Sequence, residues 1–368
     1  MPRLKPSLFH QARAIDALLP LVLQATRDVR AAQNELRWLR EFARVRSQQP
    51  QHAGQCHKVK WRHSLHQLCR ERARGVPLQY LLGSEYFGDL EITCRPGVLI
   101  PRQETATSVT NLVQRLLRPP DGLRILDLCT GTGCIPLLFR YEFEQRHSHV
   151  TSLHLLGVDV SENAVSLAKH NKNILAQQRR RTSIKGKLDF VRADVLADEH
   201  GTHEGSAPSL WKVLREFDAE SDASEWDILI SNPPYISPEA FNTTTIRSVR
   251  NFEPRLALVP DRKCELHGVD LGDVFYPRLM EIARKAGSKI ALFEVADLTQ
   301  AQRVALMLKA QRLWHGIEIW RDDPSSANND DAKDKRLCNF DESIEIIGQG
   351  NGRSVFAWRE EASEWLSK

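Results

Sequence analysis

A chain of 368 residues, 41% hydrophobic and 27% charged, has room for a large core with a smaller module beside it and reads as globular. Its apolar runs are too short or too broken by charge to span a membrane, and seven cysteines without paired spacing argue for a reducing compartment and against a disulfide framework. The net charge of +4 hides an imbalance: residues 1–75 hold 15 Lys/Arg against 5 Asp/Glu, so a basic module precedes a net acidic body. Such a module suits RNA or an acidic protein face, or is simply a solvated helical surface.

Met1 to Ile15 contain Arg3, Lys5 and Arg13 and no acid before Asp16, the pattern of a short mitochondrial presequence. Residues 14–46 read as helices, with one apolar stripe at Ile15, Leu18, Leu19, Val22 and Leu23 and another at Leu36, Leu39 and Phe42. A loop is expected over Gln48 to Gly54, then a short helix over Ser64 to Arg74 ended by Gly75 and Pro77. Cys56, His57, His63, His66 and Cys69 crowd this region, but their spacing matches no common zinc pattern. They are read as helix surface, and no metal is expected.

Tyr86 to Ile100 change to short β-type runs around Gly88-Asp89 and Pro96-Gly97, a hairpin joining two domains. From Leu123 onward strands and helices alternate. Strands are predicted at Leu123–Leu128, Leu153–Val158, Leu188–Val191, Trp226–Ile230, Lys289–Val295, Ile317–Trp320 and Ser354–Trp358. Helices are predicted through about Glu144 and at Glu162–Gln177, Val274–Ala286 and Leu298–Leu308. This alternation predicts an α/β fold with a doubly wound, mainly parallel sheet. His200–Ser224 and Asp322–Asp341 are rich in Ser, Asp, Glu and Asn and read as exposed, partly disordered insertions away from the chemistry.

Chemistry concentrates at strand ends. Asp127-Leu128-Cys129-Thr130-Gly131-Thr132-Gly133 closes the first strand. Its glycines let the chain turn sharply and let a ligand approach main-chain N–H groups. Its acid suits a ligand with a positive amino group better than a pyrophosphate. Asp159 ends the second strand, 28 residues after Gly131, where a carboxylate accepts from ribose hydroxyls. The bland alternative is an acid stabilising the next helix, a task that Ser161 can fill. Asp194 follows the third strand and is placed to accept from an adenine amino group, or merely starts a turn.

The sharpest signal is Ser231-Asn232-Pro233-Pro234-Tyr235 after the apolar strand Ile228-Leu229-Ile230. The prolines stiffen the backbone and stop the strand. The Asn232 side-chain oxygen and the Pro233 carbonyl can then face one point and hold both hydrogens of a planar NH2. An amide nitrogen is a poor nucleophile, so fixing its plane and stabilising its growing positive charge favour attack on a sulfonium methyl. Tyr235 can wall the planar group by stacking.

Together these motifs resemble the HemK/PrmC family of protein-(glutamine-N5) methyltransferases, over a span from about Asn34 to Phe356. Gly75-Val76-Pro77-Leu78-Gln79-Tyr80-Leu81-Leu82-Gly83, Leu99-Ile100-Pro101-Arg102-Gln103-Glu104-Thr105 and Glu253-Pro254-Arg255-Leu256-Ala257-Leu258 add to the likeness. The resemblance implies a seven-stranded class I S-adenosylmethionine-dependent methyltransferase domain behind a helical domain and a β-hairpin linker. In that arrangement 1–83 form the helical substrate-recognition domain, 84–103 the linker and 104–368 the methyltransferase domain, with insertions near 197–225 and 322–342. It implies cofactor contacts at Asp127, Cys129, Thr130, Gly131, Thr132, Gly133, Asp159, Asp194, Val195 and Asn232. It places the acceptor site at Asn232, Pro233, Pro234 and Tyr235. Arg102, Glu104 and Thr105 match a motif without assigned roles.

Cys129 stands where glycine is usual, so its turn must avoid a positive φ or tolerate strain. Gln103 stands where proline is common, and Val195 replaces a bulkier residue. The implied reaction methylates the glutamine of a release factor's Gly-Gly-Gln loop and so supports translation termination. The expected enzyme is a mitochondrial, or alternatively cytoplasmic, monomer near the ribosome, with no membrane and no DNA partner. The competing reading is a DNA adenine-N6 or cytosine-N4 methyltransferase, which holds a flipped-out conjugated NH2 in the same way.

Overall fold

A computed structural model describes residues 4–48, 57–147, 150–178, 184–197, 207–218, 225–261, 270–326 and 341–367. Residues 49–54 of the expected loop, Cys56, and the larger parts of both polar insertions lie outside the described residues. The chain divides into two compact units.

The first unit comprises Met1–Ser84, Cys94–Pro96 and Thr245–Glu253. It contains α1 (Pro6–Ile15), α2 (Leu19–Thr26), α3 (Val29–Gln48), α4 (His57–Ala73) and α5 (Leu78–Leu82). Asp28 caps α3 by accepting from the Ala31 N–H at 2.7 Å. Ala32, Leu36, Leu39 and Ala43 then fall at helical spacing and bury one face in a core shared with Leu19, Val22, Leu23, Leu65 and Cys69. The Arg72 guanidinium forks onto Glu35 at 2.7 and 3.0 Å, tying α4 to α3. Residues with the presequence pattern are part of this packing: Ala12 is fully buried, and Leu8 and Phe9 pack on the same core. Cys69 is also fully buried, and burial pushes its thiol up to about 12. Among the described residues, no cluster of His, Cys, Asp and Glu could hold a metal, and no helix is long and apolar enough to cross a membrane.

The second unit begins with a hairpin of β1 (Ser84–Phe87) and β2 (Leu90–Thr93), followed by α6 (Gln103–Arg115). Then come β3 (Leu123–Leu128), α7 (Cys134–Arg146), β4 (Leu153–Asp159), α8 (Glu162–Gln178), β5 (Leu188–Arg192), α9 (Leu210–Asp218) and β6 (Ile228–Ser231). After α10 (Pro238–Thr243), α11 (Arg247–Phe252) belongs to the first unit. The chain continues with α12 (Phe275–Lys285), β7 (Ile290–Glu294), α13 (Leu298–Ala310), β8 (Gly316–Asp323), β9 (Glu345–Ile347) and β10 (Gln349–Trp358).

The sheet order is β5-β4-β3-β6-β7-β10-β8-β9. β10 runs antiparallel to both neighbours, and the other pairings are parallel. This is the class I methyltransferase arrangement, with eight strands where seven were expected. β8 extends to Asp323 and leaves an edge that the three-residue β9 pairs. Neighbours along each strand enter opposite cores: Ile125, Leu155, Ile228 and Leu292 pack on one face, Leu126, Leu156, Leu229 and Phe293 on the other. Burial on both faces explains the near-continuous apolar runs of these strands.

α6 and α9 correct the sequence reading, and the short α5, α10 and α11 were also not expected. The sequence pattern does not mark α6 as a helix, because Thr105 and Ser108 interrupt the apolar period of its buried face. α9 lies inside the stretch read as an exposed insertion, yet Leu210, Val213 and Leu214 are buried in the sheet core. Polar residues on both sides dilute its amphipathic pattern. Residues ahead of α9 reach the crevice edge, because the Asp194 N–H donates to the Pro208 carbonyl at 2.8 Å. That part of the insertion is therefore not remote from the site.

Candidate active site

β3 pairs with β4 on one side and β6 on the other, so successive connections diverge and leave a crevice at the strands' carboxyl ends. The crevice is partly open and spans about 1000 Å³, including space continuous with solvent. Cys129, Thr130, Gly131 and Thr132 line it from the loop after β3, and Asp159 from the end of β4. Asp194 and Val195 enter after β5, and Asn232 and Pro234 after β6. Residues 97–102 and the turn at Pro254, Leu256 and Ala257 complete the wall, together with Phe275.

The loop after β3 takes its shape from alternating left-handed residues, with φ of 64° at Cys129, 56° at Gly131 and 77° at Gly133. Cys129 thus tolerates the strain instead of avoiding it. A Cβ on Gly131 would meet nothing within 4 Å, so its bare face opens onto free space. A Cβ on Gly133 would lie 2.7 Å from Phe190 and 2.9 Å from Ala168, so glycine there permits close packing. The Thr130 N–H donates to the Val158 carbonyl at 2.9 Å and its hydroxyl to Asp127 Oδ2 at 2.5 Å. Asn171 adds a brace that the sequence reading missed: its Nδ2 donates to the Thr132 carbonyl at 3.0 Å, and its Oδ1 accepts from the Thr93 N–H at 2.9 Å.

Asp127 lies beneath the loop, fully buried, and is not part of the crevice wall. Burial pushes its carboxyl up to about 8, and the Thr130 hydrogen bond only partly offsets this. Oδ1 has no hydrogen-bond partner among the described residues. A buried carboxyl with one unused oxygen fits a nearby ammonium group. Asp159 presents its carboxylate at the wall, Oδ2 accepting from the Gly131 N–H and Oδ1 from the Ser161 N–H, both at 2.9 Å. The Val160 N–H bonds the carboxylate as well, and the remaining acceptor capacity suits a ribose hydroxyl. Burial raises its pKa as well. Asp194 Oδ1 accepts from the Leu196 N–H at 2.9 Å and fixes its own turn. These features fit an adenosyl ligand with an ammonium-bearing tail.

Asn232 and Pro234 face the crevice, Pro233 is buried, and Tyr235 is half-buried. The Tyr235 phenol donates to Glu294 Oε1 at 3.1 Å, and Thr105 Oγ1 donates to Glu294 Oε2 at 2.5 Å. Thr105, which carried no assigned role, is thereby brought next to the acceptor motif, while Arg102 lies on the crevice wall. Glu294 was missed, although it carries the signal that found Asp127 and Asp159: an acid closing an apolar strand. Gln300 and Arg278, also missed, sit on helices where one more polar residue gives no signal.

The N-6 DNA Methylase family matches residues 104–269. The mitochondrial MRF1 N(5)-glutamine methyltransferase MTQ1 of Saccharomyces cerevisiae is 33% identical over 277 residues, covering 73% of this chain and 72% of that protein. The probable mitochondrial MRF1 N(5)-glutamine methyltransferase of Schizosaccharomyces pombe is 35% identical over 262 residues, covering 70% and 73%. A release factor glutamine methyltransferase of Nitratidesulfovibrio vulgaris is 30% identical over 256 residues, covering 70% and 72%. With a class I sheet, a crevice at its switch point and relatives of this similarity and coverage, the chain belongs to the release factor glutamine methyltransferase family.

Proposed function

We propose that the chain transfers a methyl group from S-adenosylmethionine to the side-chain amide nitrogen (N5) of the glutamine in a release factor's Gly-Gly-Gln motif. The observation that carries this reading is the run Asn232-Pro233-Pro234-Tyr235 directly after β6, which puts Asn232 and Pro234 on the crevice that also holds Asp159 and the glycine loop. The activity and location named for the two yeast relatives support the substrate and a mitochondrial setting. The protein acts there as a monomer close to the ribosome, and the basic residues of its first 75 positions suit that setting.

The loop Cys129–Gly133 would hold the cofactor's tail, with Asp127 as the charge beneath it. Asp159 would hold the ribose, and Asp194 and Val195 the adenine edge. The bound cofactor supplies an electrophilic methyl on a sulfonium sulfur. Asn232 Oδ1 and the Pro233 carbonyl would accept the two hydrogens of the acceptor NH2 and fix its plane; as the N–C bond formed the S–C bond would break, S-adenosylhomocysteine would leave, and the nitrogen would give up one proton to solvent. The same oxygens stabilise the positive charge growing on that nitrogen. Tyr235 walls the flat amide and helps keep water from it.

The N-6 DNA Methylase match favours a second reading, methylation of a base amino group, because a conjugated NH2 demands the same two acceptors. Mass spectrometry of a release factor and of duplex DNA, each incubated with protein and cofactor, separates the two. The expected result is one added methyl on the Gly-Gly-Gln peptide and none on DNA. Methylated DNA with an unmodified release factor would overturn the assignment.

A further inference from the structure

Two buried side chains behind the acceptor motif are left unused by the chemistry above. Glu294 is 4% exposed and closes β7, a strand otherwise built of Ile, Ala, Leu and Phe. Gln300 is 3% exposed and lies in the first turn of α13. Burying a carboxyl and an amide is costly unless every polar atom is used, and apolar residues of similar volume would pack there without that cost. Here each atom is used, and the bonds converge on one residue.

Glu294 takes the Tyr235 phenol on one oxygen and the Thr105 hydroxyl on the other, at 3.1 and 2.5 Å. The two hydrogens of Gln300 Nε2 are shared among three acceptors, the main-chain carbonyl of Tyr235 at 3.2 Å, the Gly272 carbonyl at 3.1 Å and Asp273 Oδ1 at 2.8 Å. Its Oε1 accepts from the Ala296 N–H at 2.7 Å, which fixes the amide's orientation. Asp273 is itself held by the Arg303 guanidinium at 2.6 and 2.9 Å. The Glu294 main-chain carbonyl accepts from the Tyr276 hydroxyl at 2.9 Å, which anchors the end of β7. Tyr235 is thus gripped at its ring by β7 and at its backbone by α13.

We propose that Glu294 and Gln300 are positioning residues of the acceptor site, fixing the plane of the Tyr235 ring and the path of the Asn232–Tyr235 loop against which the substrate amide lies. The proposal rests on the reading that this loop receives the acceptor amide. Burial raises the Glu294 pKa, and the Thr105 and Tyr235 hydrogen bonds and the Arg353 charge oppose this; in its ionised form the carboxylate can only accept, so it obliges both hydroxyls to point inward and leaves the phenol one rotamer. Burial and the Glu294 charge raise the phenol's pKa, so its proton stays on that bond. A displacement of about 1 Å of a reacting group costs about a hundredfold in rate, so a brace of this kind acts on turnover more than on cofactor affinity.

The test uses the full chain with Glu294→Gln, Tyr235→Phe, the double variant and Gln300→Met, which keeps side-chain volume. Methyl transfer is followed by mass spectrometry, cofactor binding by calorimetry, and backbone exposure by hydrogen exchange of peptides spanning residues 228–241. For Glu294→Gln and for Gln300→Met, kcat falls about 10- to 100-fold while cofactor Kd stays within about threefold. Exchange over 228–241 speeds up, and over 123–133 it stays as in the parent. The double variant is no slower than the slower of its two singles, because both act on the same Tyr235–Glu294 bond. Multiplying effects, unchanged exchange at 228–241, or a loss of cofactor affinity matching the loss of rate would each overturn the brace. A parent protein inactive on the release factor would sink the substrate reading alone, and the exchange data would still judge the brace.

Discussion

The two ends of the crevice are built on opposite plans. At the end assigned to the acceptor, Tyr235 is held by buried side chains, Glu294 and Gln300, each with every polar atom engaged. At the end assigned to adenine, the holding atoms are mostly main chain. The Asp194 N–H donates to the Pro208 carbonyl at 2.8 Å, and the Leu210 N–H returns a bond to the Asp194 carbonyl at 3.3 Å. Arg278 spans the Val195 and Ala197 carbonyls at 3.0 and 2.9 Å. A reacting nitrogen must be placed to a fraction of an ångström, which rewards a rigid polar network. A base needs only a face and an edge, so backbone straps suffice.

That contrast is broken most directly at Asn232. Asn232→Ala removes one of the two oxygens that hold the amide, and the expected loss in kcat is about 10³-fold, the scale for deleting one preorganised partner of a developing charge. Cofactor affinity, measured by calorimetry, moves by less than about tenfold, because the ribose and tail contacts lie elsewhere. A variant that kept most of its turnover would show that the acceptor end is not the demanding one.

Asp127 sharpens the comparison, since it joins a buried carboxyl to a backbone-built loop. Its carboxyl, pushed up to about 8 by burial, is protonated in the folded apoprotein at neutral pH and ionised in the unfolded chain, where it titrates near 4. Its stabilising contribution is therefore full below the unfolded value and is lost as pH rises through the folded one. The expected loss between pH 6 and 8 is about 2 kcal/mol, and it is absent in Asp127→Asn. Affinity for a cationic ligand runs the other way and climbs over that interval, because an ammonium favours the carboxylate. Melting curves and calorimetry at several pH values check both signs, and identical profiles for parent and variant would remove Asp127 from the account.

These cases show what was legible in the sequence. β3, β4 and β6 are apolar runs closed by an acid, a glycine loop or a proline pair, so strand, crevice and first contacts could be read together. Asp159 and Asn232 were found because each interrupts an apolar run at a strand end. α6 and α9 were not found, since threonines mask the period of one and polar neighbours dilute the other. Gln300, Asn171 and Arg278 were not found for another reason. A polar residue on a helix looks like solvated surface until packing shows which side is buried.

Arg278 tests the plan of the adenine end at smaller cost. Arg278→Met keeps the aliphatic stem of the side chain and deletes both bonds to the strap. Each such bond is worth about 1 kcal/mol, and the backbone bridge at residues 194 and 208–210 remains, so cofactor Kd should rise only about 3- to 10-fold. Saturating kcat should be unchanged. A fall in kcat at unchanged Kd would mean that this end, too, positions the reacting atoms.

The smallest effect is expected at Cys129, and its size separates two demands that glycine usually meets together. At Gly133 both apply: φ is 77°, and a Cβ would press on Phe190 and Ala168. Gly133→Ala therefore combines left-handed strain of about 1–2 kcal/mol with overpacking of about 1–3 kcal/mol. At Cys129 only the first demand holds, since its side chain already packs on the partly buried margin of a core. Cys129→Gly relieves the strain, but it gives up a small buried side chain and adds about 0.5–1 kcal/mol of unfolded-state entropy. The terms nearly cancel, and the melting temperature should move by no more than about 3 °C. Cys129→Val adds β-branching to the same φ and should cost about 2 kcal/mol or more. If Val were tolerated as well as Cys, the left-handed turn at 129 would not be the conformation in solution, and the loop's alternation of 129, 131 and 133 would lose its first member.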